Sequence, residues 1–177
     1  KAQETLQNLV KAIQTQPRRD IYHVSLSQAD LAILRALSRD PKNASPTAEV
    51  QRDIQNLGQQ SIQQATIATQ VSPKNAFNYA YLGDVYKELS GNNVDGLRSA
   101  LQAYVASSNL DPNNYQLRVV IGDLYMRTSD FTRAADYFQA AINLKGDDPN
   151  PRYLLAIAQI QDADKTLDSD NPQAKIN

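Results

Sequence analysis

Apolar and polar positions follow a helical period along almost the whole chain. Leu6, Leu9, Val10 and Ile13 recur at spacings of three and four, which predicts a helix over 1–15. Tyr22, Leu26, Ala29, Ile33 and Leu37 predict a long helix over 20–38. The stretch Asp40-Pro41-Lys42-Asn43-Ala44-Ser45-Pro46 reads as a loop, with Pro46 behind Ser45 as a capped helix start. Val50, Ile54, Leu57, Ser61, Ala65 and Ala68 then line one face of a helix over 47–70. Gln59, Gln60, Gln63 and Gln64 fall on its outer face, and Gly58 either sits within that helix or splits it in two. Further helices are predicted over 75–89, 94–109, 115–128 and 131–144, the last capped by Asp130. A final one over 151–163 is opened by Asn150-Pro151 and carries Tyr153, Leu154, Ile157, Ala158 and Ile160. From Asp164 on apolar residues nearly vanish, and 164–177 reads as a flexible polar tail.

The helices repeat in pairs. Tyr79, Leu82, Gly83 and Tyr86 hold the same offsets as Arg118, Ile121, Gly122 and Tyr125, and each set falls on one helix face. A glycine inside a helix costs roughly 1 kcal/mol against alanine, so its recurrence calls for close approach of a neighbouring helix. Ala100, Tyr104 and Ser107 precede Pro112 by twelve, eight and five residues; Ala134, Phe138 and Ala141 precede Gly146 by the same offsets. Small residues there face the glycine-bearing helix, and the ring fills the space between the two. Ser61, Ala65 and Ala68 stand so before Pro73, and Thr5, Leu9 and Ala12 before Pro17. Residues 1–15 therefore read as the second helix of a repeat whose first helix is missing. In the repeat at 20–73, Ser27 and Asp30 replace the expected Gly and Tyr. At Leu110-Asp111-Pro112-Asn113-Asn114 proline stops one helix and asparagine caps the next.

This set of residues resembles the tetratricopeptide repeat, a helix-turn-helix unit of about 34 residues. The resemblance implies an all-α, tetratricopeptide-like superhelical array of antiparallel helix pairs, a single domain over 1–163. Its parts are 1–15, a degenerate repeat with long helices at 20–73, a repeat with a turn insertion at 75–112, the best match at 115–146, and a terminal helix at 150–163 that either caps the array or begins another repeat. The two glycines are 39 residues apart, and the excess falls in Ser90–Gly96, either a recognition loop or a relaxed turn.

In such arrays the first helices line an inner groove that binds peptides. Carried over, the groove residues on this chain are Phe77, Ala80, Tyr81, Asp84, Lys87 and Glu88. They continue with Gln116, Val119, Val120, Asp123, Met126 and Arg127, then Tyr153, Ala156, Ile157 and Ile160. One subset of the family grips a terminal carboxylate with Lys, Arg and Asn. Here Asp84 and Asp123 take the Asn positions and would repel it. The implied ligand is an apolar protein segment or peptide carrying a basic residue. The Gln-rich, degenerate front and compact rear also resemble the soluble tail of bacterial membrane polymerases and ligases of surface polysaccharide. That implies a bacterial, periplasmic or otherwise extracytoplasmic location over a cytoplasmic one.

Composition narrows the chemistry. The 177 residues are 41% apolar and 21% charged, with a formal net charge of −1, which gives no support for nucleic-acid binding. With no cysteine there is no disulfide or thiolate metal site. His23, the single histidine, reads as a packing residue, and Asp162, Asp164, Asp168 and Asp170 as solvating charge rather than a calcium loop. Asn43-Ala44-Ser45 fits the glycosylation sequon but is followed by Pro46. Neither a nucleotide-binding nor a hydrolase motif is present. The expectation is a non-catalytic scaffold, without cofactor, metal or catalytic residue. The alternative is a structural module that self-associates by stacking end to end. No apolar run long enough to span a membrane is present in this segment, which begins at Lys1 as a fragment or processed form would, and a parent protein could carry one.

Overall fold

The computed structural model describes residues 2–43, 45–91 and 93–170, the side chains of 2, 3 and 168–170 excepted. All regular structure among them is helical: α1 (Ala2–Thr15), α2 (Asp20–Arg39), a 3-10 turn (Pro41–Asn43), α3 (Ala48–Val71), α4 (Ala76–Ser90), α5 (Val94–Leu110), α6 (Tyr115–Arg127), α7 (Phe131–Leu144) and α8 (Pro149–Asp170). The chain is thus all-α, built from antiparallel helix pairs. It forms two compact units, residues 1–103 and 104–177.

Short polar junctions set the helix starts. Asn75 Oδ1 accepts from the Phe77 amide (3.2 Å) and Asn114 Oδ1 from the Leu117 amide (3.4 Å). Asp130 does the same for the Arg133 amide at 3.2 Å. Each satisfies a helix-end N–H that has no partner within the helix. Asp20, at the start of α2, accepts from the Ile21 amide through Oδ1 and from the side-chain amides of Asn75 and Asn78 through Oδ2. Those amides hold its carboxyl below the usual range, Asn78 most of all, and they tie the front ends of α2 and α4 together.

In the first unit α2 packs on α1 and α3, and α4 packs on α3. The core is Val24 and Leu31 of α2, Ala65 and Ala68 of α3, and Tyr81 and Val85 of α4, with Ile62, Leu82 and Leu89 packed around it. In the second unit α7 lies between α6 and α8. There Gly122 of α6 meets the Phe138 ring of α7 so closely that an added Cβ would stand 2.5 Å from a ring carbon. The glycine and the aromatic are two halves of one contact, as their sequence offsets predict.

The structure departs from the sequence reading in four places. The cap of α3 is Thr47, whose Oγ1 accepts from the Val50 amide at 3.3 Å, so Ser45 and Pro46 lie outside the helix. Gly58 does not split α3. It is buried there, and a Cβ would meet Leu34 and Leu89 at ordinary distances. Gln64 is not on the outer face: its Oε1 bonds His23 Nδ1 at 2.7 Å, and the other ring nitrogen lies 3.0 Å from the Pro17 carbonyl oxygen. Finally, α8 runs past 163 to Asp170. Lys165 donates to the Ser129 carbonyl oxygen (2.8 Å) and sits over the Phe131 ring, and Thr132 donates to Asp162. These contacts hold the polar end of α8 against the start of α7. Within the proposed tail, 171–177 lie outside the described residues, as does Ala44 of the sequon.

The turn insertion is short. Helix α4 ends at Ser90 and α5 starts at Val94, with Asn93 Oδ1 accepting from the amides of Asp95 and Gly96. Gly91 has φ +54°, a left-handed value that glycine adopts without a Cβ clash. Asn92 lies outside the described residues.

Candidate binding surface

In the first unit, α2 and α4 enclose a cavity of about 520 Å³ lined by Gln28, Leu31, Arg35, Tyr81, Asp84, Lys87 and Glu88. Three of the residues named from the sequence, Tyr81, Asp84 and Lys87, come together here. Charges of both signs surround the apolar floor. Arg35 grips Glu88 with two bonds, Nε at 2.6 Å and Nη2 at 2.5 Å, bridging the two helices. Lys87 Nζ lies 3.3 Å from Asp84 Oδ1, one turn away. Glu88 raises the Arg35 pKa further through this bond.

Tyr81 is not the exposed ring that a groove floor suggests. It belongs to the core, and one part of it reaches the cavity. Its hydroxyl donates to Ser27 Oγ (2.9 Å), Ser27 Oγ donates to the Ser61 carbonyl oxygen (2.9 Å), and the Ser61 hydroxyl returns a bond to the Ser27 carbonyl oxygen (3.2 Å). All three hydroxyls are buried and partnered, so the network fixes how α2, α3 and α4 meet. Burial pushes the Tyr81 phenol up, so it stays a donor. Phe77 is 56% exposed and stacks on Tyr81, with ring centroids 6.4 Å apart.

Gln28, Leu31 and Arg35 were missing from the sequence-derived set. The signal was present. Ser27 stands where Gly83 stands in the next pair, so Gln28 and Leu31 correspond to Asp84 and Lys87. The absence of glycine and of the following tyrosine obscured that register. Asp30, in the tyrosine position, is 2% exposed, and its Oδ2 has no hydrogen-bond partner. Burial raises its pKa to about 6.

In the second unit, Gln116, Asp123 and Arg127 of α6 are exposed, and Val119, Val120 and Met126 are half-buried beside them. On α8, Tyr153 is exposed and Ile157 half-buried. Arg133 lies over the Tyr125 ring, which stacks on Tyr137. Among the described residues, no group of acidic or histidine side chains is arranged to hold a metal ion, and no helix is long and apolar enough to cross a membrane.

No protein-family model matches this sequence, and no curated protein does. The architecture is matched by solved structures. A thermophilic tetratricopeptide protein of Thermus thermophilus, TTC0263, superposes with a TM-score of 0.62 at 19% identity, over 88% of this chain and 71% of the other. The fold is that of the tetratricopeptide repeat. The tetratricopeptide domain of Arabidopsis OM64 (TM-score 0.49, 14% identity, 77% and 96% covered) and MamA (0.45, 18%, 80% and 81%) are more distant likenesses. Sequence identity this low carries the tetratricopeptide architecture and leaves function to the site.

Proposed function

We propose that this chain is a non-catalytic protein-interaction scaffold whose first-type helices bind a protein segment or peptide. The observation that carries the reading is the cavity between α2 and α4, with Leu31 and Tyr81 at its floor and four charged side chains at its rim. An apolar side chain on the floor would be desolvated, and the rim would orient the segment that carries it. Asp84 and Asp123, both exposed, support a preference for a basic residue on the ligand. In the first unit that residue would compete with Lys87 for Asp84.

The test is a peptide array probed with the wild-type chain and with Asp84→Lys and Leu31→Ala variants of verified helicity. Loss of most captured peptides in Leu31→Ala, and loss of the basic ones in Asp84→Lys, is expected. An unchanged captured set in both variants would remove the site assignment. Tyr81→Ala is a poor probe, because it opens the core.

A second reading, end-to-end stacking between copies, is favoured by open faces at both ends of the helix series. On α1, Leu6, Gln7, Val10, Lys11 and Gln14 line a shallow, mainly apolar trough of about 510 Å³. On α8, Tyr153, Ile160 and Leu167 are all more than 60% exposed.

A further inference from the structure

Ten residues after each junction residue, Pro17, Pro73, Pro112 and Gly146, stands a small side chain: Ser27, Gly83, Gly122 and Ala156. Eight residues before the junction stands its counterpart on the second helix. In the second unit that pair is Gly122 with the Phe138 ring, in direct contact. In the first unit Ser27 has Ala65 in the place of the ring and bonds Ser61 one turn before it. The larger the residue at the glycine position, the smaller its counterpart, as close packing requires.

Two helices carry one half of this contact each. Helix α1 has the second-helix set Thr5, Leu9 and Ala12, yet Thr5 is exposed and the other two are half-buried. The equivalent residues Ser61, Ala65, Ala68, Ala100, Tyr104, Ser107, Ala134, Phe138 and Ala141 are buried without exception. Helix α8 has the first-helix set. Leu155 and Ala156 stand where Ile121 and Gly122 stand in α6, yet Ala156 and Gln159 are exposed where Gly122 and Tyr125 are buried. Helices α3 and α7 each pack against first-type helices on two sides, whereas α1 packs on α2.

We propose that α8 of one copy docks antiparallel on α1 of the next and completes a split repeat between chains, with Ala156 against Leu9. This rests on the stacking reading above and specifies its interface. The sizes agree: alanine at the glycine position faces leucine rather than a ring. The faces are different surfaces of one chain, so the contact is heterologous and does not close on itself unless a rotation brings the ends together. The occupant is a second copy because the two open faces are complementary halves of one repeating contact.

Sedimentation equilibrium of the wild-type chain, from micromolar to near-millimolar concentration, should show a mass that rises with concentration through dimer and beyond. Ala156→Arg blocks the α8 face and Leu9→Asp the α1 face. Each variant alone should remain monomeric. An equimolar mixture should form a 1:1 dimer and grow no further, because only one intact α8 face and one intact α1 face remain per pair. Thr5→Arg, at an exposed position of the same face, replaces Leu9→Asp if that variant loses helix content. A wild-type monomer throughout the range would overturn both the stacking reading and this interface. Association that persists in both variants would overturn this interface alone, placing the contact on another face. A mixture that stays monomeric would also overturn it.

Discussion

Asp30 gives the sharpest test of how the first unit is packed. Its carboxyl occupies a core position that other repeats fill with tyrosine, is 2% exposed, and has one oxygen without a hydrogen-bond partner. Burial disfavours the charged form, so the folded state titrates at about 6 against a reference of 3.8. Below the reference value both states are protonated and nothing is lost. As pH rises between the two values the unfolded chain releases a proton that the folded chain keeps, so stability falls. Above about pH 6 the penalty is complete, at about 3 kcal/mol. This is the reverse of a salt-bridged aspartate, which stabilises at neutral pH and fails in acid. Asp30→Asn is neutral at every pH and mimics the protonated residue. Its stability relative to wild type should therefore increase by about 3 kcal/mol between about pH 4 and about pH 8. For a unit of this size, that corresponds to a difference of roughly 12–24 °C in melting temperature. Urea unfolding followed by far-ultraviolet circular dichroism at the two pH values measures it. Any fixed cost of the amide cancels in the comparison. A variant-minus-wild-type difference that is the same at both pH values would refute the burial argument.

Three further predictions concern packing. Gly122→Ala drives a methyl into the Phe138 ring and should destabilise by roughly 1–3 kcal/mol despite alanine's better helix propensity, with Phe138→Leu restoring much of the loss in the double variant; chemical denaturation of the single and double variants reads it. Tyr81→Phe removes the bond to Ser27 and leaves the hydroxyl network short of a donor, at a cost of roughly 0.5–1.5 kcal/mol, measured in the same assay. Arg35 and Glu88 are partly exposed, so a double-mutant cycle should give a coupling below about 1 kcal/mol that shrinks with added salt.

The sequence by itself determined the helices, their pairing and the glycine-to-ring contact. A helical period, an asparagine or aspartate cap and a proline stop act over a few residues, and the twelve-eight-five offset is the imprint of one packing solution used repeatedly. What only the tertiary structure decided is which residues of a matching register meet. Ser27 looked like a defect in the pattern, but across α2, α3 and α4 it is the centre of a satisfied hydroxyl chain with Ser61 and Tyr81. Tyr81 and Lys87 share a helix face, and nothing local shows that the first lies in the core or that Arg35, 53 positions from Glu88 in sequence, closes the rim above both. The end of α8 makes the same point. Its composition reads as a tail, and Lys165 and Asp162 hold it as helix by reaching a turn more than thirty residues away. Local rules fix elements because their causes are local. Burial, buried polar partners and the shape of a cavity depend on residues far apart in the chain, and only packing brings them together.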